Sequence, residues 1–216
     1  MKKIKIIIFD FDGVIADTIP YSIKKVVEIS KLFKVTELSE KQIINEIRTK
    51  SYQELINGGM KIQWFKLPFM MLIIRRMQHK LFNEIETIKI FSGIKKTLKD
   101  LKNKGYKLTI LSSNLEKNVR KFLELNKIDT FDLIHCGTHI LGKSEAINSF
   151  LKKNNFNRNE VIYIGDEIRD VQACKKSGIK MIGVSWGLTR SEILQKYEVD
   201  YLANKPSDIL EIIGKN

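Results

Sequence analysis

Cysteine and histidine are scarce in this sequence, two and three residues among 216, and their scarcity removes several chemistries at once. Cys136 and Cys174 have neither CxxC spacing nor histidines arranged beside them, which excludes a zinc site and a redox pair and leaves two reduced core thiols. His79, His135 and His139 have no partner in any motif, so core packing or surface exposure accounts for them and no catalytic role is assigned. Long apolar runs are missing too. The stretch from Leu67 to Ile74 is about eight residues long, against the ~20 that span a bilayer. The start, MKKIKIIIFDFDG, imitates a signal peptide, but its apolar run stops at Asp10 and Asp12 without a small-residue cleavage site, so a cytoplasmic location is expected. Internal repeats and low-complexity linkers are absent.

Acidic charge is in deficit: the formal net charge is +13, which favours anionic partners. The lysines are dispersed along the chain, and no basic run is interleaved with aromatics. A solvated surface is therefore expected, with neither nucleic acid nor membrane as partner. With 43% hydrophobic and 29% charged residues, the chain has the composition of a folded protein, long enough for one large domain or one carrying an insertion.

What is present is a set of short apolar runs, each ending at a polar or small residue. Ile4 to Phe9 is nearly continuous and rich in isoleucine, as in a strand buried on both faces of a parallel sheet. Similar runs recur at Lys107 to Leu111, Leu133 to His135, Val161 to Ile164 and Met181 to Val184. Between them lie helical patterns at Gly93 to Lys104, Glu116 to Asn126 and Glu145 to Asn154. This alternation predicts an α/β fold with a doubly wound parallel sheet. From Tyr21 to Ile88 the helical period persists without a strand. The economical arrangement is an α/β core of residues 1–17 and 89–216, with a small helical domain, residues 18–88, inserted after the first strand.

Ligands of doubly wound sheets bind at the carboxyl ends of the strands, where this chain places Asp10, Asp12, Ser112, Lys143, Asp166 and Asp170. Four carboxylates gathered there would repel one another without a cation, and a set lacking histidine and cysteine suits a hard ion such as magnesium. Ser112, Ser113 and Asn114 follow a strand and precede a helix, so their hydroxyls and backbone N–H groups stand where an anion binds, and Lys143 adds a positive charge. A metal, an anion pocket and a carboxylate free to attack describe phosphoryl transfer through an aspartyl-phosphate.

DFDGV at Asp10 to Val14, LSSN at Leu111 to Asn114, GK at Gly142 and Lys143, and GDEIRD at Gly165 to Asp170 together resemble, in order and spacing, the four motifs of the haloacid dehalogenase superfamily. The helical insertion and the tail GVSWG, Gly183 to Gly187, are similar to its phosphoglycolate phosphatase-like branch. The resemblance implies that Asp10 attacks phosphorus and that Asp12 protonates the leaving oxygen and then activates water. It also implies that Mg2+ is held by Asp10, the Asp12 carbonyl and Asp166, with Asp170 orienting that shell or binding the ion through water. Ser112 and Lys143 would stabilise the phosphoryl oxygens. Asp12 favours a phosphatase over a dehalogenase, which has no alkoxide to protonate.

Two departures from the family pattern stand out. Glu167 replaces a small hydroxyl residue and brings an extra negative charge near the metal, and Phe91, Ser92 and Gly93 replace a proline-containing turn, predicting a looser loop. Asp17 and Thr18 are expected to cap the first helix of the insertion.

The resemblance further implies that the insertion is a cap that closes over the site. Arg48, Lys50 and Tyr52 are its anion-suited cluster, the candidates for gripping the substrate's leaving group. The apolar and basic segment from Lys61 to Arg76 suits packing inside the cap, a dimer contact or an anionic surface. The expected substrate is a small phosphorylated metabolite. The alternatives are a phosphomutase with the same intermediate and a basic binding protein whose site is vestigial.

Overall fold

Ile6–Phe9 forms the first strand, β1, with all four residues buried. Removing each large side chain here from water is worth ~1.5–3 kcal/mol, which fixes this hydrophobic run at the middle of the molecule. The computed structural model describes residues 3–32, 37–51, 54–55, 67–137 and 142–215. After β1 come β2 (Ala16–Asp17), α1 (Ile19–Leu32), α2 (Glu40–Thr49), α3 (Leu67–Glu84) and β3 (Lys89–Ile90). The chain then alternates through α4 (Ile94–Asn103), β4 (Lys107–Leu111), α5 (Glu116–Leu125), β5 (Leu133–His135), α6 (Lys143–Lys153), β6 (Val161–Gly165) and α7 (Ile168–Ser177). It finishes with β7 (Lys180–Val184), α8 (Ser191–Lys196), β8 (Tyr201–Ala203) and α9 (Asp208–Gly214).

Six parallel strands form one sheet in the order β5-β4-β1-β6-β7-β8. Alternate side chains of β1 feed two cores. Ile7 and Phe9 join Leu98, Leu101, Val119 and Phe122 of α4 and α5, while Ile6 and Ile8 join Ile147, Phe150, Val171 and Cys174 of α6 and α7. The five expected strands are all present. The sixth, Tyr201–Ala203, has only three residues, too few to show a period of two.

Pairing of β1 with β4 on one side and with β6 on the other makes its carboxyl end the topological switch point, where ligands of such sheets bind. A second, two-stranded sheet pairs Ala16 with Ile90 and Asp17 with Lys89 antiparallel, so the chain leaves and rejoins this neighbourhood through one ribbon. Asp17 therefore sits in a strand rather than at a helix start.

The loop after the ribbon is tied down. Phe91 N–H donates to Ile15 O at 3.2 Å and the ring lies 6.4 Å from Trp186, so the turn expected to be loose is held from both sides. Between the ribbon strands, α2 starts with a capping box, Ser39 and Gln42 bonding reciprocally. The last turns of α3 rest on α5: the Lys117 and Lys121 ammonium groups lie 4.8 and 4.6 Å from the Phe82 ring centroid. Residues 61–66 lie outside the described residues, as does His139. Among the described residues no helix is long and apolar enough to cross a membrane.

Candidate active site

Asp10 continues β1 by one residue, its N–H donating to Ile164 O at 2.9 Å. Its carboxylate is held at both oxygens: Oδ1 accepts the Phe11 N–H at 2.7 Å, and Oδ2 accepts from Lys143 Nζ at 2.5 Å. Burial raises the Asp10 carboxyl above its ordinary range, against the opposing pull of Lys143.

Two residues on, Asp12 is half-buried beside Asp10. Asn114 Nδ2 lies 3.1 Å from each of its carboxylate oxygens, and Thr18 bonds it as well. Burial first, and the neighbouring Asp10 charge second, push Asp12 up to about 6. The turn that follows needs Gly13, whose φ is +74° and whose missing Cβ would overlap Asp166 Oδ2.

The neighbouring strands deliver the rest. After β4, buried Ser112 donates its N–H to His135 O at 3.0 Å, and its Oγ accepts the Asn114 N–H at 3.1 Å. Asn114 is wholly engaged within the protein. Its amide nitrogen serves Asp12, and its Oδ1 accepts from Leu115 N at 2.7 Å and Asn118 Nδ2 at 2.8 Å. Ser113, between them, is half-buried.

Lys143 opens α6. Burial opposes its charge, but Asp10 and Asp170, with both of which it forms ion pairs, hold its ammonium well above the ordinary lysine range. After β6, Asp166 is buried, and burial, then Glu167, raises its carboxyl well above its usual value. Asp170 lies in the first turn of α7, where its Oδ2 accepts the Asp166 and Glu167 N–H groups at 3.1 and 3.0 Å.

Oxygens of Asp10, Asp166 and Asp170 all lie within 4.8 Å of one another. Asp166 Oδ1 is buried and has no hydrogen-bond partner among the described residues, an expensive arrangement for a group raised by desolvation. An all-oxygen, all-carboxylate set with an unused buried oxygen fits a hard divalent cation.

Residues 7–184 match the sequence profile of the haloacid dehalogenase-like hydrolases. The chain belongs to that family. This haloacid dehalogenase-like hydrolase is 27% identical over 208 residues to a phosphoglycolate phosphatase of Synechococcus elongatus, covering 96% of each chain. It is 28% identical over 217 residues to the pyrophosphatase PpaX of Bacillus velezensis, covering 99% of this chain and 98% of that one. In structure it resembles a predicted phosphatase from Clostridium acetobutylicum with a TM-score of 0.80 at 20% identity, covering all of both chains. The enzyme is a hydrolase of the phosphatase type.

In this hydrolase, Asp10, Asp12, Ser112, Ser113, Asn114, Lys143, Asp166 and Asp170 all stand at the carboxyl ends of β1, β4 and β6 or at the start of α6 and α7. The insertion candidates fare differently. Arg48 offers its carbonyl to the Arg190 N–H of the core at 3.2 Å, and its Nε is buried with no hydrogen-bond partner among the described residues. Lys50 pairs with Glu46 at 2.7 Å, and Tyr52 lies outside the described residues. Glu167 does not stand as a bare charge. Arg169 Nε lies 2.6 Å from its Oε2 and offsets it beside the site.

Sequence reading alone missed Thr18 as a partner of Asp12, and Leu188, whose N–H donates to Asp166 Oδ2 at 2.7 Å. A backbone donor leaves no trace in side-chain identity. The adjacent Gly187 was the available signal, since a Cβ there would overlap Asp166.

Proposed function

We propose that this protein is a magnesium-dependent phosphomonoesterase that hydrolyses a small phosphorylated metabolite through an aspartyl-phosphate on Asp10. The observation that carries the reading is the convergence of Asp10, Asp166 and Asp170 on one point, with Lys143 2.5 Å from Asp10. Asp10, Asp166 and the Asp12 carbonyl would hold the ion, with Asp170 orienting that set, and when bound it supplies positive charge to the transferring phosphoryl group.

The chain's own groups account for the remaining steps. With both oxygens tethered, the Asp10 carboxylate is fixed in direction, which lowers the entropic cost of attack on phosphorus. As the phosphorus–oxygen bond to the leaving group breaks, Asp12 delivers its proton to that oxygen, and Asn114 and Thr18 keep its carboxyl in place. The resulting Asp12 carboxylate then takes a proton from the water that attacks the phosphoryl group and frees Asp10. Ser112 and Lys143 stabilise the oxygens carried across.

Residues 18–88 serve in this reading as a cap. Arg48 is the contact that selects the leaving group, an assignment supported by its Nε, which is buried without a hydrogen-bond partner among the described residues. The phosphoglycolate phosphatase and pyrophosphatase relatives make a small carboxylated ester and inorganic pyrophosphate the two substrates to compare first. The test is kcat/KM across a panel of phosphate esters and anhydrides with Mg2+, for wild type and Arg48→Ala. A cap contact is a differential term, so losing it should reorder preferences by roughly ten- to a hundredfold. Absence of turnover on every member of the panel refutes the phosphatase reading, and uniform scaling by Arg48→Ala refutes its part in specificity.

A further inference from the structure

The segment from Leu188 to Arg190 makes three consecutive backbone donations. Leu188 N–H donates to Asp166 Oδ2 at 2.7 Å, Thr189 N–H to Asp166 O at 3.2 Å, and Arg190 N–H to Arg48 O at 3.2 Å. Two of these bonds fix Asp166, at side chain and main chain, and the third reaches the last turn of α2 in the segment between the ribbon strands. Gly187 seats the strip so closely that a Cβ would overlap Asp166. A few residues later, at the C-terminus of α8, the Tyr197 hydroxyl donates to Glu54 Oε2 at 2.7 Å, a second tie from the same stretch of core to the same insertion. Glu54 is itself steadied by the Ser51 N–H at 2.7 Å.

We propose that Leu188–Arg190 is a positioning strip that couples docking of the insertion to the geometry of Asp166, with the Tyr197–Glu54 hydrogen bond as its clasp. The physical argument is short. Leu188 and Thr189 lie in one tight bend that runs directly into Arg190, so the three donors are joined by consecutive peptide units, and releasing Arg190 from Arg48 loosens the neighbouring bond that sets which way Asp166 presents its other oxygen. Coupling of this kind is reciprocal: a cation that fixes Asp166 must favour the docked insertion by the same factor that docking favours the cation. The inference rests on the reading of Asp166 as a metal ligand and is independent of the substrate.

The experiment measures Mn2+ binding to the full chain by the paramagnetic signal of the free ion, without phosphate ester. Arg190→Pro deletes the N–H at a φ of −63°, already a proline value. Tyr197→Phe removes only the clasp's hydroxyl. Each should weaken Mn2+ binding about two- to tenfold, the loss expected for one hydrogen bond, while Glu54→Gln, which retains an acceptor oxygen, should stay within about twofold of wild type on the same argument. In wild type, added Mg2+ should slow hydrogen exchange of the peptide carrying the Arg190 amide. Failure of wild type to bind Mn2+ overturns the metal reading and the coupling with it. Normal Mn2+ binding by both Arg190→Pro and Tyr197→Phe overturns the coupling alone.

Discussion

Lys143 Nζ lies 2.5 Å from Asp10 Oδ2 and forms a second ion pair with Asp170, so one ammonium ties the end of β1 to the first turn of α7. Both carboxylates are almost fully enclosed, and breaking such a pair by removing one partner typically costs about 3–5 kcal/mol, because the remaining charge stays buried. Lys143→Met should therefore lower the thermal midpoint of the chelator-treated protein markedly, with partial recovery on adding Mg2+. It should also depress turnover of all phosphate esters alike, since every substrate presents the same phosphoryl group. Reordered substrate preferences would contradict this division of labour.

Asp10→Asn should abolish turnover while leaving far-ultraviolet circular dichroism unchanged. The amide keeps the shape and can accept the Phe11 N–H, yet it is not a competent nucleophile. Residual activity near wild type would show that phosphorus is attacked by another group.

Asp12→Asn should discriminate between leaving groups. An alkyl phosphate needs its departing oxygen protonated and should lose ~10²–10⁴-fold in kcat, the usual contribution of a positioned acid. An activated aryl phosphate should lose far less. Equal losses on both substrates would remove Asp12 from the acid role.

Stability carries a separate signature of the same carboxyl. In chelator, Asp12 titrates at about 6 in the folded chain against an ordinary 3.8, because burial and then the Asp10 charge disfavour its ionised form. The folded state holds this proton more tightly, so the stability it contributes is complete below 3.8 and is lost as pH rises through about 6. Asp12→Asn has no such proton. The difference in melting temperature, variant minus wild type, should climb across that interval and level off above it. A difference that falls with rising pH would contradict the raised value.

Excess chelator should eliminate turnover and Mg2+ should restore it, because the clustered carboxylates need a cation and the transferring charge needs neutralising. Calcium should bind and support little activity, since it prefers more ligands in a looser geometry that can engage both Asp10 oxygens. Full activity in excess chelator would contradict the metal requirement.

Much of this was legible in the order of residues. The isoleucine run of β1, buried on both faces, and the polar residue that follows each strand run are enough to put Asp10, Ser112 and Asp166 at one edge of a parallel sheet. Three-residue β8 and the two-residue ribbon strands were not legible, because pairing that short is decided by partners distant in the chain.

The sequence by itself determined the α/β class, the identity of the chemistry-bearing side chains and the strand ends that bear them, since hydrophobic period and residue type are local properties. Only the tertiary structure decided which partner each charged group takes. Glu167 turned to Arg169, Asn114 to Asp12, and Lys143 to Asp10 and Asp170 together, while backbone donors at Leu188 and Arg190 settled on Asp166 and Arg48. The reason is physical: electrostatic and hydrogen-bond energies depend on distance through space, and residues 133 positions apart such as Lys143 and Asp10 acquire that distance only when the sheet has formed.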